Sequence, residues 1–539
     1  MNHLFYGDNL QVMRDHLTNE SADLVYLDPP FNSKRDYNLL FKSPKGHQSE
    51  AQIEAFKDSW SWGEQAEREY DDLLHQANTD CALIMRALRA FLGENDMMAY
   101  LTMMASRLLE LRRVLKPTGS LYLHCDPTAS HYLKIVLDGV FGKENFKSEI
   151  VWKRTTSHGN VGRAYGVCTD SIFFYSKTSK YTWNQVHAPM EPEYIKNRFS
   201  GQDTDGRVWQ SVTLRNPGPR PNLRYAYTAS NGQTYEPHAN GWSCDIDRMR
   251  RYDEENRLHF PKPGGKLRLK MYLDESQGIK LQNLWTDIPP INSQAQERLG
   301  FPTQKPLALL ERIVAASSEE GDVVLDPFCG CGTAVHAAQK LKRAWIGIDI
   351  THLAISLIEK RLKDAFGGNC AFEVHGTPKD LDSARDLARR DKYQFQWWAV
   401  SLVDARPYQG KKKGADGGID AIKFFYDIDS KEALKIVVGV KGGTIKADDV
   451  RALNHVRERE KAEIALMISL HEPTAGMRAD AAAAGFLTGA NGKKYPRVQL
   501  LTIEGLLTGA ERASHPDYAP DVNFKKAKRE SSETQGTLL

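Results

Sequence analysis

Two short stretches, far apart in the chain, hold the residue types from which a group-transfer site can be made. Asp28-Pro29-Pro30-Phe31 closes the apolar run Asp23-Leu-Val-Tyr-Leu27. Proline cannot continue a central strand and fixes its own φ, so the chain must leave a sheet there on a stiff backbone. That sets a carboxylate, a fixed carbonyl and an aromatic ring side by side. The exocyclic amine of a nucleobase is a weak nucleophile, because its lone pair is delocalised into the ring. A site that alkylates it should accept hydrogen bonds from its N–H groups and leave the lone pair facing the donor. The Asp28 carboxylate and the Pro29 carbonyl are acceptors of that kind. Phe31 offers a face on which an extruded base can stack. Alone, however, a D-P-P turn at a strand end is ordinary.

The second stretch is Leu325-Asp326-Pro327-Phe328-Cys329-Gly330-Cys331-Gly332-Thr333. It reads as a strand, a loop with two spaced glycines, and a helix start. Glycine lets the backbone approach a ligand closely, and the helix start offers unpaired N–H groups. Asp349 ends the next apolar run, Ala344-Trp-Ile-Gly-Ile348, where a dinucleotide-like fold places its ribose-binding carboxylate. Val335 stands where the third glycine of G-x-G-x-x-G belongs. This argues against a nicotinamide dinucleotide and permits another adenosine-containing cofactor. Without Asp349, the loop would be only a tight strand-to-helix turn.

Alternating α and β patterns position these stretches. Apolar residues at helical spacing run through 80–115 to the turn Lys116-Pro117-Thr118-Gly119. Strand signals follow at 120–124, 149–152 and 171–175, with a helix over 129–140 between the first two. Residues 185–300 change character, rich in Arg, Asn, Pro, Gly, Tyr and Trp with weak periodicity. Regular patterning resumes with a helix at 307–317, strands at 322–325 and 344–348, and helices at 333–341 and 352–365. A boundary lies near 366–380. Beyond it the pattern is ααββαβαβ, and the tail from about 524 is charged and expected to be disordered.

The bulk composition is that of a folded protein of two or three domains. Of 539 residues, 41% are hydrophobic and 26% charged. Lys+Arg 72 against Asp+Glu 69 leaves a net +3, so any nucleic-acid surface must be local. The seven cysteines are scattered, and Cys329-x-Cys331 has no second pair at zinc spacing. No metal is expected. The first residues lack a signal-peptide pattern and no apolar run approaches a membrane span, so a soluble cytoplasmic protein is expected.

Taken together and in order, these motifs resemble those of the β group of DNA amino-methyltransferases. Gly7-Asp8-Asn9-Leu10 resembles the acidic opening motif and Asp23–Phe31 the catalytic one. Val114–His124 resembles the strand region after it. Phe301-Pro-Thr-Gln-Lys-Pro306 and Asp326–Thr333 resemble the late segment and the cofactor loop. The group places the catalytic motif before the variable region and the cofactor loop after it, as here. The resemblance spans residues 1–365. It implies an α/β, Rossmann-like S-adenosylmethionine-dependent sheet with permuted motif order: 1–184 the catalytic half, 185–300 a target-recognition region, 301–370 the cofactor half. Asp28, Pro29, Pro30 and Phe31 would be catalytic. Phe328, Gly330, Gly332 and Thr333 would surround the methionine part of S-adenosylmethionine, with Asp326 nearby. Asp349 would bind its ribose, Asp8 its adenine edge, and Thr303 and Lys305 the donor side of the pocket. D-P-P-F rather than S-P-P-Y favours adenine N6 over cytosine N4. The partner would be duplex DNA. Arg248, Arg250 and Arg251, with Lys262, Lys266, Arg268 and Lys270, suit phosphate contacts. A homodimer and a separate restriction partner both stay open.

Residues 380–510 are similar to Mrr-like restriction-endonuclease domains, a smaller α/β nuclease-like domain; 511–539 is the charged tail. Gly414-Ala-Asp416-Gly-Gly-Ile-Asp420 precedes Val437-Val-Gly-Val-Lys441. Asp420 and Lys441 match the metal-holding pattern. Gly439 stands where an acid or amide belongs, and Gln396 replaces a helix Glu. One carboxylate is a poor Mg²⁺ site, though Asp416 could compensate. Two readings stand open, an active nuclease and an inactive relative kept for DNA binding or assembly, and the second is favoured. A catalytically silent DNA-binding protein is the remaining alternative for the whole chain.

Overall fold

Strands buried on both faces read as unbroken apolar runs, because helices cover them from either side. Ala22–Leu27 is buried along its whole length and Ala344–Asp349 nearly so. The computed structural model describes residues 2–30, 36–42, 48–57, 60–155, 165–260, 265–292, 295, 297–299, 301, 303–408, 418–428, 430, 432–516 and 527–530. The chain divides into two compact units, 1–184 with 282–532, and one built on 185–281.

The first unit carries a nine-stranded sheet. In chain order its strands are β1 (Asn2–Tyr6), β2 (Ala22–Leu27), β3 (Leu115–Cys125), β4 (Phe146–Lys153) and β5 (Thr169–Ser176), then β6 (Leu284–Trp285), β7 (Val323–Asp326), β8 (Ala344–Asp349) and β9 (Phe372–His375). Across the sheet the order is β6-β4-β5-β3-β2-β7-β8-β1-β9. From β3 to β9 every neighbour is parallel; β5 is antiparallel to both β3 and β4. The α/β sheet implied by the motif order is therefore the sheet found. The strand before Asp28 and the strand before Gly330 are neighbours in register, Leu24 opposite Val324 and Val25 opposite Leu325.

Several elements differ from the sequence reading. The helical stretch at 80–115 is two helices, Thr79–Leu92 and Asp96–Val114. Gly93 ends the first at φ 72°, and the Asn95 side chain caps the second. The strand β1 and the edge strand β9 were not foreseen, being short and interrupted by polar residues. At the amino ends, Asp23 accepts from Lys116 Nζ at 2.8 Å and from the Val323 N–H at 2.9 Å, fastening β3 and β7 to β2. The compositional insert closes as a unit at Leu281 rather than 300, because Leu284–Trp285 pairs with β4. Glu530, in the tail expected to be disordered, donates its N–H to the Ala365 carbonyl at 2.9 Å.

The C-terminal part of this unit begins with helices Leu381–Arg390 and Lys392–Ser401. A five-stranded sheet follows, in the order Arg406–Pro407, Ala421–Phe425, Leu434–Lys441, Ile464–Ser469, Val498–Thr502. Helices Ala447–Arg459 and Ala475–Ala483 complete the ααββαβαβ pattern. The second unit has its own core around Trp242, Met249 and Leu267. In it a four-stranded antiparallel sheet accompanies the helix Ile246–Glu254. Among the described residues no helix is long and apolar enough to cross a membrane.

Candidate active site

Parallel strands level at their carboxyl ends deliver their next residues to one edge, where open α/β sheets bind ligands. Here β2, β7, β8 and β1 deliver Asp28, Asp326, Asp349 and Asp8 in that spatial order. So many carboxylates in one place must be paired, hydrogen-bonded or driven toward the neutral form, and the chain uses each of these means.

Asp28 is paired. Its Oδ2 accepts from Lys305 Nζ, a contact joining residues 277 apart. Both side chains are mostly buried, with 14% and 10% exposed. Asp28 Oδ1 is also buried, yet among the described residues it has no hydrogen-bond partner. Buried polar atoms are rarely left so, and an exception calls for a ligand or a reason. Pro29 and Pro30 follow it, while Phe31 lies outside the described residues. Asp326 is driven toward its neutral form. Burial pushes its carboxyl well above the usual range, the Phe328 N–H offsets part of this, and the charges of Asp28 and Asp349 push it further up.

Asp349 is held by hydrogen bonds. The Gly330 N–H donates to its Oδ2 at 2.9 Å, and the Thr351 N–H and hydroxyl both donate to Oδ1 at 2.9 Å. Burial outweighs these and raises its pKa to about 6. Asp8 caps the helix Asn9–His16 and receives Arg107 Nη2 at 2.7 Å. The same guanidinium donates to Asn9, whose amide donates to the Pro327 carbonyl at 2.8 Å. Arg107 thus ties the first motif to the glycine loop.

The loop has the shape its glycines permit. Gly330 and Gly332 have φ of 49° and 74°. Gly330 N–H faces Asp349, and a Cβ on Gly332 would lie 2.7 Å from Ile358 Cγ1. With Asp349 at its foot, this loop brings together backbone N–H groups and a carboxylate that could hold part of an adenosine-type ligand. Phe328 is half-buried beside it, and Thr303 sits next to Lys305 with its carbonyl 3.5 Å from Nζ. Thr333, at the helix start after the loop, is buried, and its hydroxyl accepts from Arg361 Nη1 at 3.1 Å.

Sequence reasoning missed the supports. Tyr26 OH lies 3.0 Å from His124 Nδ1, His124 Nε2 lies 3.1 Å from Asp170, and Arg154 lies 3.3 Å from the same carboxylate. Burial would raise Asp170, but the His124 hydrogen bond and the nearby cations hold it below the ordinary value. Tyr26 alternates with Leu27 before Asp28, and this buried chain anchors the strand end. Beneath the glycine loop, Arg361 donates to the Cys331 carbonyl and to His336, and Glu530 receives the other side of His336 at 3.1 Å. Only a buried Arg or His in an apolar helix face could have signalled these.

Two expected surfaces need correction. In the insert, Lys270 is not free for phosphate: it is buried and donates to Asp203 at 2.9 Å. Arg268 is held by Ser211 and Lys266 by the carbonyls of Glu236 and Pro237, while Lys262 lies outside the described residues. Arg248, Arg250 and Arg251 remain exposed on the helix Ile246–Glu254. In the C-terminal domain, Asp420 accepts from Gln396 and from the Val440 N–H, and Lys441 pairs with Asp449 at 3.0 Å. A Cβ at Gly439 would meet Leu453 at 3.3 Å, so that face is closed by packing. Asp416 lies outside the described residues.

Comparison with known proteins finds two family models along the chain. Residues 22–360 match the family model described as DNA methylase, and residues 387–507 match one described as restriction endonuclease. Type II methyltransferase M.EcaI of Enterobacter cloacae is 28% identical over 364 residues, 67% of this chain and 69% of that protein. The StyLTI Mod subunit of a type III restriction-modification enzyme of Salmonella typhimurium is 27% identical over 350 residues, 62% of this chain and 49% of that protein. Among solved structures, a putative DNA modification methylase from Thermus thermophilus complexed with S-adenosyl-L-methionine aligns with TM-score 0.33 and 16% identity. That alignment covers 69% of this chain and 99% of that one.

Gly332→Ala should cost about 1–3 kcal/mol, from left-handed backbone and overlap with Ile358. Gly330→Ala, whose Cβ meets only the edge of Phe301 at 3.1 Å, should cost less. Thermal denaturation of both, and of Gly332→Ala in an Ile358→Ala background, checks this: Gly332→Ala should cost less in that background than in the unmodified chain.

Proposed function

The chain belongs to the DNA methylase family, and from that premise we propose that it transfers a methyl group from S-adenosylmethionine to adenine N6 in duplex DNA. The observation that carries this reading is the buried Oδ1 of Asp28, which has no hydrogen-bond partner among the described residues, beside a rigid Pro-Pro turn and one strand from the glycine loop.

S-adenosylmethionine supplies the methyl group as an electrophile on a sulfonium. The chain's residues do the rest. Asp349 accepts from the ribose hydroxyls, and Asp8, half-exposed beside Arg107, faces the adenine edge. Phe328 and the backbone at Gly330 and Gly332 enclose the remainder. A base rotated out of the duplex presents its amine to Asp28 Oδ1 and the Pro29 carbonyl. Those acceptors take its N–H groups and leave the lone pair directed at the methyl carbon. Transfer of the methyl carbon from sulfur to nitrogen would leave the sulfur as a neutral thioether and the amine cationic; the Asp28 carboxylate would stabilise that charge, and the extra proton would pass to water. Lys305 holds the carboxylate in place by its other oxygen. The helix Ile246–Glu254, with Arg248, Arg250 and Arg251 exposed, contacts DNA phosphates, and Gln185–Leu281 serves as the target-recognition region. Cytosine N4 is the second reading, since both amines need the same acceptors; D-P-P-F favours adenine. The Salmonella relative, named as a Mod subunit, supports a separate restriction subunit as partner.

We read the C-terminal domain as a DNA-binding relative that does not cut. Its Asp420 and Lys441 are engaged with other residues, and Gly439 brings no ligand. Plasmid incubated with the protein and Mg²⁺ or Mn²⁺ should stay intact; cutting that disappears in Lys441→Ala would overturn this.

Asp28→Ala should keep the cofactor Kd within about twofold while methyl transfer falls on the order of 10²–10³-fold. Unchanged activity in that variant would refute the assignment of Asp28. Cofactor affinity should also depend on pH through Asp349. Its pKa of about 6 leaves it charged at neutral pH. As pH falls through that value the carboxylate takes a proton and loses an acceptor site, so Kd should rise up to about tenfold per unit below it. In Asp349→Asn the affinity should be lower and flat over the same range, as titration calorimetry would show.

A further inference from the structure

We propose that His3, Glu373 and His375 form a site for a borderline divalent metal of the Zn²⁺ class, unrelated to methyl transfer. Residues 3 and 373 are direct partners across the β1–β9 pairing, as are 5 and 375. Alternation along each strand therefore puts His3, Phe5, Glu373 and His375 on one face of the sheet. Among the described residues this is the group of His, Cys, Asp or Glu whose ligand atoms converge, all within 4.8 Å of one another.

The separations match a coordination shell. His3 Nδ1 and His375 Nε2 are 3.0 Å apart, and the Glu373 carboxylate lies 3.6 Å from His375 Nε2 and 4.0 Å from His3 Nδ1. Zn–N and Zn–O bonds of about 2.0–2.1 Å at tetrahedral angles require ligand atoms about 3.3–3.4 Å apart. Closing the three atoms on an ion needs shifts of a few tenths of an ångström, which two partly exposed imidazoles and an exposed carboxylate can make. Phe5 stacks on the His375 ring at 4.5 Å and 18°, and His16 lies against Phe5 at 5.3 Å, which fixes the orientation of the second imidazole. Two imidazoles and one carboxylate suit Zn²⁺ or its neighbours in the transition series, and leave the fourth position to water. Sequence reading excluded zinc on cysteine spacing alone. It could not see this site, whose His3 and His375 lie 372 residues apart and meet only through an edge strand that patterning does not reveal.

The consequence is mechanical. The strand β9 is four residues long and is the last element before the C-terminal domain. An ion shared by His3, Glu373 and His375 clasps it to β1, the strand that leads into Asp8. Full-length protein stripped with chelator, then titrated with Zn²⁺ by calorimetry and with Co²⁺ by visible absorption, tests this. A single equivalent should bind, Co²⁺ should give the strong visible bands of a tetrahedral site, and Zn²⁺ should raise Tm. In His3→Ala and His375→Ala this equivalent and the Tm gain should vanish; in exposed Glu373→Gln affinity should fall about tenfold or more. All variants keep the seven cysteines, so the difference reads this site alone, and cofactor binding unchanged from wild type verifies their fold. Absence of binding to the native protein, leaving His3 and His375 as a hydrogen-bonded pair, would overturn the proposal. So would binding equally tight in all the variants.

Discussion

The pairing of β2 with β7 is the constraint on which the site depends. It joins segments some 300 residues apart in the chain, Leu24 to Val324 and Val25 to Leu325. Because the pairing is parallel and in register, both strands release their next residue at the same edge. Asp28 and Asp326 become neighbours there although an insert with its own core lies between them in sequence. Parallel pairing of distant segments carries a loop-closure cost, which grows only slowly with length. A long insert is therefore tolerable, provided the apolar strands are covered once they meet.

Bringing carboxylates to one edge creates a second problem, and its solution defines the chemistry. Asp326 is driven toward its neutral form, Asp349 is spread over three donors, and Asp28 receives Lys305. Of these, Asp28 keeps a buried oxygen without a partner among the described residues. The remaining polar groups work from beneath. The Tyr26–His124–Asp170–Arg154 chain fixes the end of β2, and Arg361, with His336 and Glu530, fixes the floor of the glycine loop. Both networks are largely buried, where hydrogen bonds rigidify their surroundings. The loops that would touch a ligand are thus set by groups that would not.

Much of this was legible because the relevant strands and helices are long or strongly patterned. The helix Leu307–Ser317 and the strand Leu434–Lys441 fall where periodicity put them, and Asp28, Asp349 and the two glycines were singled out by residue type and spacing. What was not legible depends on tertiary pairing. Asn2–Tyr6 and Phe372–His375 are too short and too polar to announce themselves, yet they carry Asp8 into place. Lys270 looked like a phosphate contact because sequence cannot show that Asp203 would be its partner. Arg107 and Arg361 sit in helices whose apolar neighbours gave no sign that a charge would be buried among them.

The most direct measurement is to incubate the protein with duplex DNA and S-adenosylmethionine labelled at the methyl group, digest the DNA to nucleosides and identify the labelled product. Label in N6-methyladenine is the predicted result. Label in N4-methylcytosine would retain the chemistry at Asp28 and move the substrate to the other amine. Label on a ring carbon, or none in DNA that the protein demonstrably binds, would contradict amino-methylation itself.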